Sequence, residues 1–182
     1  MTNINPIHLS TADAATTSTL NAVKAKLGVI PNMFLTLANT PVALNAYMQL
    51  SGVAASGKLS AKQREQIALT VGEQNNCDYC LAAHSVLGGL AGLKPADVDA
   101  ARSASASDAR DTAMLQLAAA ITRQQGKLTA AEVAGFKAKG LSDADILEVL
   151  VNVVLNIYTN YTNHIAATEI DFPRVAPLAK AA

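Results

Sequence analysis

The chain predicts an all-α fold, and three observations carry that prediction. Alanine supplies much of a 51% apolar content while aromatic residues are only 4% and tryptophan is absent, which suits closely packed helices better than strands. Helix caps and helix-stopping glycines recur along the chain. Strand signals do not recur.

In order, Ser10 with Asp13 opens a segment that runs to Leu27 and stops at Gly28. Pro31 and Pro41 each stand where a first helical residue is expected, giving a short helix near 32–39 and another near 42–54. Ser60 caps a helix through about Gln74, and the next helix begins at or near Cys77, with Asn75 and Asn76 as its capping residues, and reaches about Gly92. Pro95 starts a short helix. Ala104-Ser105-Ala106-Ser107 reads as a loop, after which Asp108 caps a helix to about Gln125. Thr129 with Glu132 forms a capping box closed by the stop at Gly140. Ser142 with Asp145 caps the longest element, which runs to about Thr168 and is ended by Asp171-Phe172-Pro173. The sum is roughly eight or nine helices in a single domain over 1–182. A mobile arm at 1–9 holds His8, which carries no signal, and a tail at 173–182 closes the chain. Gly57-Lys58-Leu59-Ser60 and Gly126-Lys127-Leu128-Thr129 echo one another, too briefly to establish a repeat.

Composition excludes several function classes. Fourteen basic side chains balance fourteen acidic ones, so there is no electrostatic footprint for nucleic acid. No apolar run approaches the ~18 residues of a membrane span, and Met1 to Pro6 lacks both parts of a signal peptide. The expectation is a cytoplasmic protein. In a reducing compartment a close cysteine pair points to catalysis or metal binding rather than to a structural disulfide.

That pair is Cys77 and Cys80, the only cysteines in the chain, and His84 follows four residues later. On a helix the three fall within an arc of roughly 60°. A helix N-terminus and a nearby imidazole both favour thiolate over thiol, which lowers a cysteine below the free value of about 8.5. On the preceding helix Glu65 shares its face with Ala61, Ala68, Leu69 and Gly72, whereas Lys62, Gln66 and Glu73 occupy the neighbouring polar face. Glu65 is therefore the expected buried carboxylate and Glu73 a solvated one. An unpartnered buried carboxylate is costly, so His84 on the next helix is the natural partner. Acid, imidazole and thiol then form one chain.

The pattern of Glu65, Cys77, Cys80 and His84, with Arg64-Glu65 ahead of an apolar helix, resembles the alkylhydroperoxidase D-like branch of the carboxymuconolactone decarboxylase superfamily. The stretch Asn156 to His164 with Asp171-Phe172-Pro173 is similar to the tail of its peroxidase-related members, and Pro31-Asn32-Met33-Phe34 to their N-terminal segment. The resemblance spans 28–174. It implies an all-helical homo-oligomer and a thiol peroxidase cycle that needs no cofactor or metal. Cys80 would attack the peroxide, Cys77 would resolve the sulfenic acid to a disulfide, and an external dithiol, thioredoxin-like or lipoyl-type, would restore the pair. Glu65 and His84 would relay protons. Tyr79 stands where the best-known members carry a histidine, so only an auxiliary role is implied for it.

Alternatives remain at this level. Cys77, Cys80, His84 and a fourth group such as His164 could hold zinc in a redox-sensing oligomer, and the pair could serve as a general protein disulfide oxidoreductase. Glu65 could be a structural ion-pair partner and His84 part of a local hydrogen-bond network. Asn152, Asn156, Asn160 and Asn163 form a polar stripe on an otherwise apolar helix that reads as surrounded by protein, and interhelical hydrogen bonding is favoured for them over lining a pocket. His164 reads as a satisfied core histidine.

Overall fold

Local capping chemistry sets most of the helix boundaries in the computed structural model, which describes residues 2–178. Met1 of the arm and residues 179–182 of the tail lie outside the described residues. Among those described there are nine α-helices, a 3-10 turn at Leu9–Thr11 and no strand. The helices are α1 (Ala14–Leu27), α2 (Asn32–Leu37), α3 (Pro41–Ala55), α4 (Ala61–Gln74), α5 (Asp78–Leu90), α6 (Pro95–Arg102), α7 (Ala109–Gln124), α8 (Ala130–Ala138) and α9 (Asp143–Ala166).

Capping boxes open α4 at Ser60 with Gln63, α8 at Thr129 with Glu132 and α9 at Ser142 with Asp145, each satisfying two otherwise orphaned backbone donors. The starts of α1 and α2 differ from expectation. The cap of α1 is Asp13, whose carboxylate accepts from both the backbone N–H and the hydroxyl of Thr16, and Ser10 falls in the 3-10 turn. Pro31 is the extended residue before α2 rather than its first member, and its carbonyl accepts the first N–H of that turn from Phe34. Pro41 does open α3, with Thr40 as its cap.

The apolar positions collect into two clusters. One joins Ile67, Leu69 and Val71 of α4 to Met114, Leu115 and Leu117 of α7 and to Val149 and Val153 of α9. The other joins Leu20 and Val23 of α1, Met33, Phe34 and Leu37 of α2 and Leu44 of α3 to Cys77, Tyr79, Cys80 and Ala83. Helix α4 packs against α5, α6, α7 and α9, so it carries α5 on a fully packed support. At Gly88 of α5 an added Cβ would lie 2.8 Å from Leu93 Cδ1 in the loop after α5, whereas Glu65 Cβ of α4, 3.7 Å away, would be in ordinary contact.

From Asn3 to Ile7 the arm is hydrogen-bonded to the helices. The N–H groups of Asn3 and Ile4 donate to Ala166 O at the end of α9, and Ile7 N–H donates to Leu35 O. Arg102 likewise holds the tail through Ala176 O. No helix among the described residues is long and apolar enough to cross a membrane.

Candidate active site

The turn between α4 and α5 delivers the first sulfur. Asn76 takes a left-handed φ of 52°, which asparagine tolerates better than most residues. Around it Asn76 N–H bonds Glu73 O and Cys77 N–H bonds Gly72 O, the two hydrogen bonds of a Schellman stop. Asn75 and Asn76 thus end α4 instead of capping α5. Cys77 caps α5 itself, its Sγ accepting the N–H of Cys80 at 3.4 Å.

Both thiols are free and buried. Asn160 donates its amide to Cys80 Sγ at 2.9 Å and Asn163 does so at 3.4 Å. Hydrogen bonding from Cys77, then from Asn163, Asn160 and Thr159, holds the Cys80 thiol below its usual range against the opposing effect of burial. The same bond to Cys80, reinforced by burial, drives Cys77 strongly upward. The two shifts are opposite in direction, so Cys80 is the thiol of the pair that ionises more readily.

One turn beyond Cys80, His84 Nδ1 lies 2.7 Å from Glu65 Oε2, the pairing expected from sequence. Both side chains are about one-fifth exposed, so Glu65 is half-buried rather than enclosed. Burial pulls the imidazole pKa down, but the charge and hydrogen bond of Glu65 outweigh it and the net shift is upward. The expected link from imidazole to sulfur takes a different form. His84 and Cys80 border one cavity, while the hydrogen bonds to Cys80 Sγ come from Asn160 and Asn163.

That cavity holds about 350 Å³ and is lined by Glu65, His84, Cys80, Asn152, Asn156 and Asn163 together with Met33, Phe34, Tyr47, Met48, Leu87 and Leu155. Burial pushes the Tyr47 phenol up to about 12, so it faces the cavity neutral. A second, wider cavity of about 810 Å³ is bordered by Cys77, Asn76, Asp78, His164, Glu169 and Arg174. Tyr79 lies between the two, its hydroxyl accepting Met33 N–H at 3.1 Å and its ring edge-on to Phe172.

The carboxymuconolactone decarboxylase family model matches residues 41–114, the span that holds α3, α4 and α5 with Glu65, Cys77, Cys80 and His84. Over that segment, which is less than half of its length, the chain is similar to the carboxymuconolactone decarboxylase family. Its fold is similar to that of an uncharacterized peroxidase-related protein with the alkylhydroperoxidase AhpD core from Ralstonia eutropha JMP134, at 21% identity over 93% of this chain and 92% of that one, with a TM-score of 0.84. An uncharacterized peroxidase-related protein from Silicibacter sp. TM1040 shares 26% identity over 91% of each chain, with a TM-score of 0.78. A variant of the debrominase Bmp8 in complex with 2,3,4-tribromopyrrole shares 18% identity over 92% of this chain and 91% of that one, with a TM-score of 0.78. Among curated proteins none matches.

Several other polar residues depart from expectation. Glu73 is not a solvated charge: its Oε2 lies 2.7 Å from Nε of Arg102, a side chain only 3% exposed. Gln66, assigned to the same polar face, is buried. His164 is exposed rather than in the core, and no group of three His, Cys, Asp or Glu side chains among the described residues is arranged to hold a metal ion. The asparagine stripe divides. Asn160 and Asn163 make the interhelical bonds, both donating to Cys80, and Asn160 also accepts from Asn75 at 2.8 Å. Asn152 and Asn156 bond back to their own helix and line the cavity with Asn163. Four buried asparagines on one face of an apolar helix were the available signal for a polar wall opposite the cysteines.

Proposed function

We propose that the protein is a thiol peroxidase for organic hydroperoxides. The supporting observation is that Cys80, with two amide donors on its sulfur, shares one cavity with the Glu65–His84 pair. The thiolate of Cys80 attacks the distal peroxide oxygen, the O–O bond breaks, and protonated His84 supplies the proton that converts the departing alkoxide to an alcohol. Glu65 orients the imidazole and stabilises its charged form. Cys80 is now a sulfenic acid, and the negative charge that kept the proton on Cys77 is gone. Cys77 attacks Cys80 Sγ as its own proton leaves with the hydroxide as water, and a disulfide forms. An external dithiol returns both sulfurs to the starting state.

The cavity favours an organic peroxide. Its volume is roughly ten times the ~30 Å³ share of one water, and most of its wall is aliphatic, aromatic or thioether surface. A protein disulfide is a poorer fit, because Cys80 is 3% and Cys77 1% exposed. Self-association belongs to the same proposal: Leu147, Val154, Tyr161 and Ile165 stand exposed along α9 and would be covered by a second copy. Sedimentation of the purified protein checks that part.

Consumption of cumene hydroperoxide with a dithiol present tests the activity, with Cys80→Ser and Cys77→Ser alongside. The expected result is turnover by the native protein, none by Cys80→Ser, and a sulfenic acid trapped on Cys80 in Cys77→Ser. Sustained turnover by Cys80→Ser would overturn the assignment.

A further inference from the structure

The two sulfurs open onto different spaces. Cys80 borders the 350 Å³ cavity and not the second, whereas Cys77 borders the 810 Å³ cavity and not the first. Tyr79 and Asn163 border both and form the wall between them. We infer that the reducing dithiol enters through the second cavity and breaks the disulfide at Cys77 Sγ, while peroxide enters through the first. This inference rests on the disulfide cycle proposed above.

The lining of each space supports the division of labour. The peroxide cavity is walled largely by apolar side chains, and the other by Asp78, His164, Thr168, Glu169 and Arg174, which suits a hydrophilic dithiol. Asn163 Oδ1 is buried without a hydrogen-bond partner among the described residues and is free to accept an incoming S–H. Leaving-group chemistry points to the same sulfur. Disulfide exchange is faster when the departing thiol has the lower pKa, and the departing sulfur here is Cys80, whose thiolate receives the amides of Asn160 and Asn163.

The steps balance. One thiolate of the dithiol attacks Cys77 Sγ, the Cys77–Cys80 bond breaks, and Cys80 leaves as the thiolate. The second thiolate then attacks the reductant's own sulfur in the mixed disulfide, releasing Cys77, which takes up a proton. The dithiol departs as a disulfide, having lost two electrons and two protons. The occupant is a small or slender dithiol, since Cys77 is buried at the cavity floor.

Diamide provides the disulfide form without any peroxide, so the reductive half-reaction can be timed alone with dithiothreitol and with reduced thioredoxin. His164→Trp narrows only the second cavity and Ala55→Trp only the first. His164→Trp should slow reduction by dithiothreitol at least tenfold and leave oxidation by cumene hydroperoxide within twofold. Ala55→Trp should do the reverse. Thioredoxin should be slower than dithiothreitol at equal concentration by tenfold or more. Acid quenching of the native disulfide form during attack by 2-mercaptoethanol should place the adduct mass on Cys77, a readout that needs no variant. An adduct on Cys80, or slowing of both half-reactions by Ala55→Trp with none by His164→Trp, would overturn the separate route alone. Failure of diamide to join Cys77 and Cys80 would overturn the disulfide cycle as well.

Discussion

Helix α4 carries two carboxylates, Glu65 and Glu73, each 2.7 Å from a basic nitrogen on another helix and of similar exposure, 22% and 26%. What separates them is the partner. His84 exchanges a proton near neutral pH and stands in the wall of the cavity with Cys80. Arg102 is 3% exposed, is fixed also to Ala176 O, and carries a guanidinium that holds its charge throughout the physiological range. Burial of the carboxylate therefore does not distinguish a proton relay from a structural pair. The proposed relay rests instead on the chemistry of the cation.

The largest expected effect is on Glu65 and His84. Glu65→Gln keeps the shape of the side chain while removing its charge, and turnover should fall roughly 10²–10⁴-fold, as general acid–base groups do. His84→Ala should be similarly slow and the double variant little worse than either, because a relay acts as a unit. Steady-state peroxide consumption measures this, and an additive double variant would break the comparison.

At the other pair the loss should appear in stability. Arg102→Ala strands Glu73 and frees the tail, while Glu73→Ala leaves a buried guanidinium short of its carboxylate, a change that costs on the order of 3 kcal/mol in comparable buried pairs. Urea unfolding should show it, and the specific activity of the folded fraction should stay near normal. A variant with Glu73→Leu and Arg102→Met together should recover much of the loss, since well-packed apolar replacements often match a buried ion pair. Loss of activity without loss of stability in Glu73→Ala would give that carboxylate a chemical role.

The pairs should also separate in pH. The folded-state pKa of His84 is raised above its ordinary value of 6.5. Its contribution to stability is therefore fully present below pH 6.5 and fades as pH rises through the higher folded value. The stability gap between the native protein and Glu65→Gln should shrink over that rise, whereas the gap to Glu73→Ala should keep its size. Urea midpoints taken from pH 5.5 to 9 would check both, and a Glu65→Gln gap that stayed constant would mean that the imidazole does not titrate with its partner.

Reach along the chain explains what the sequence could reveal. The helices were legible because caps act within a few residues, as Ser60 with Gln63 and Ser142 with Asp145 do. The Glu65–His84 pair joins consecutive helices 19 residues apart, so helical periodicity alone could align it. The partner of Glu73 is 29 residues away on α6, and the amides on Cys80 come from 80 and 83 residues away on α9. Which side chains meet at that distance is set by how whole helices pack, and a single sequence does not encode it as a local pattern. The left-handed turn at Asn76 was missed for a related reason: asparagine serves equally as an N-cap and as a helix stop, and the choice depends on where α5 must lie.

Tyr79 provides the smallest and sharpest test, because it is adjacent to Cys80 in sequence and yet belongs with the structural residues. Its hydroxyl accepts the N–H of Met33, one of the donors that the start of α2 leaves without a helical partner. Burial pushes the phenol pKa well up, reinforced by nearby Asp171, so Tyr79 remains protonated and is a poor base for Cys80. Tyr79→Phe preserves the edge-on contact with Phe172 and removes the hydroxyl, which accepts Met33 N–H and faces Asp171. The cost should be about 1–2 kcal/mol, the usual penalty for leaving a buried donor unsatisfied. For a domain of this size that corresponds to a fall of roughly 2–8 °C in melting temperature, while turnover changes by no more than about twofold. A tenfold loss of activity at unchanged melting temperature would move Tyr79 from the structural side of the comparison to the proton-relay side.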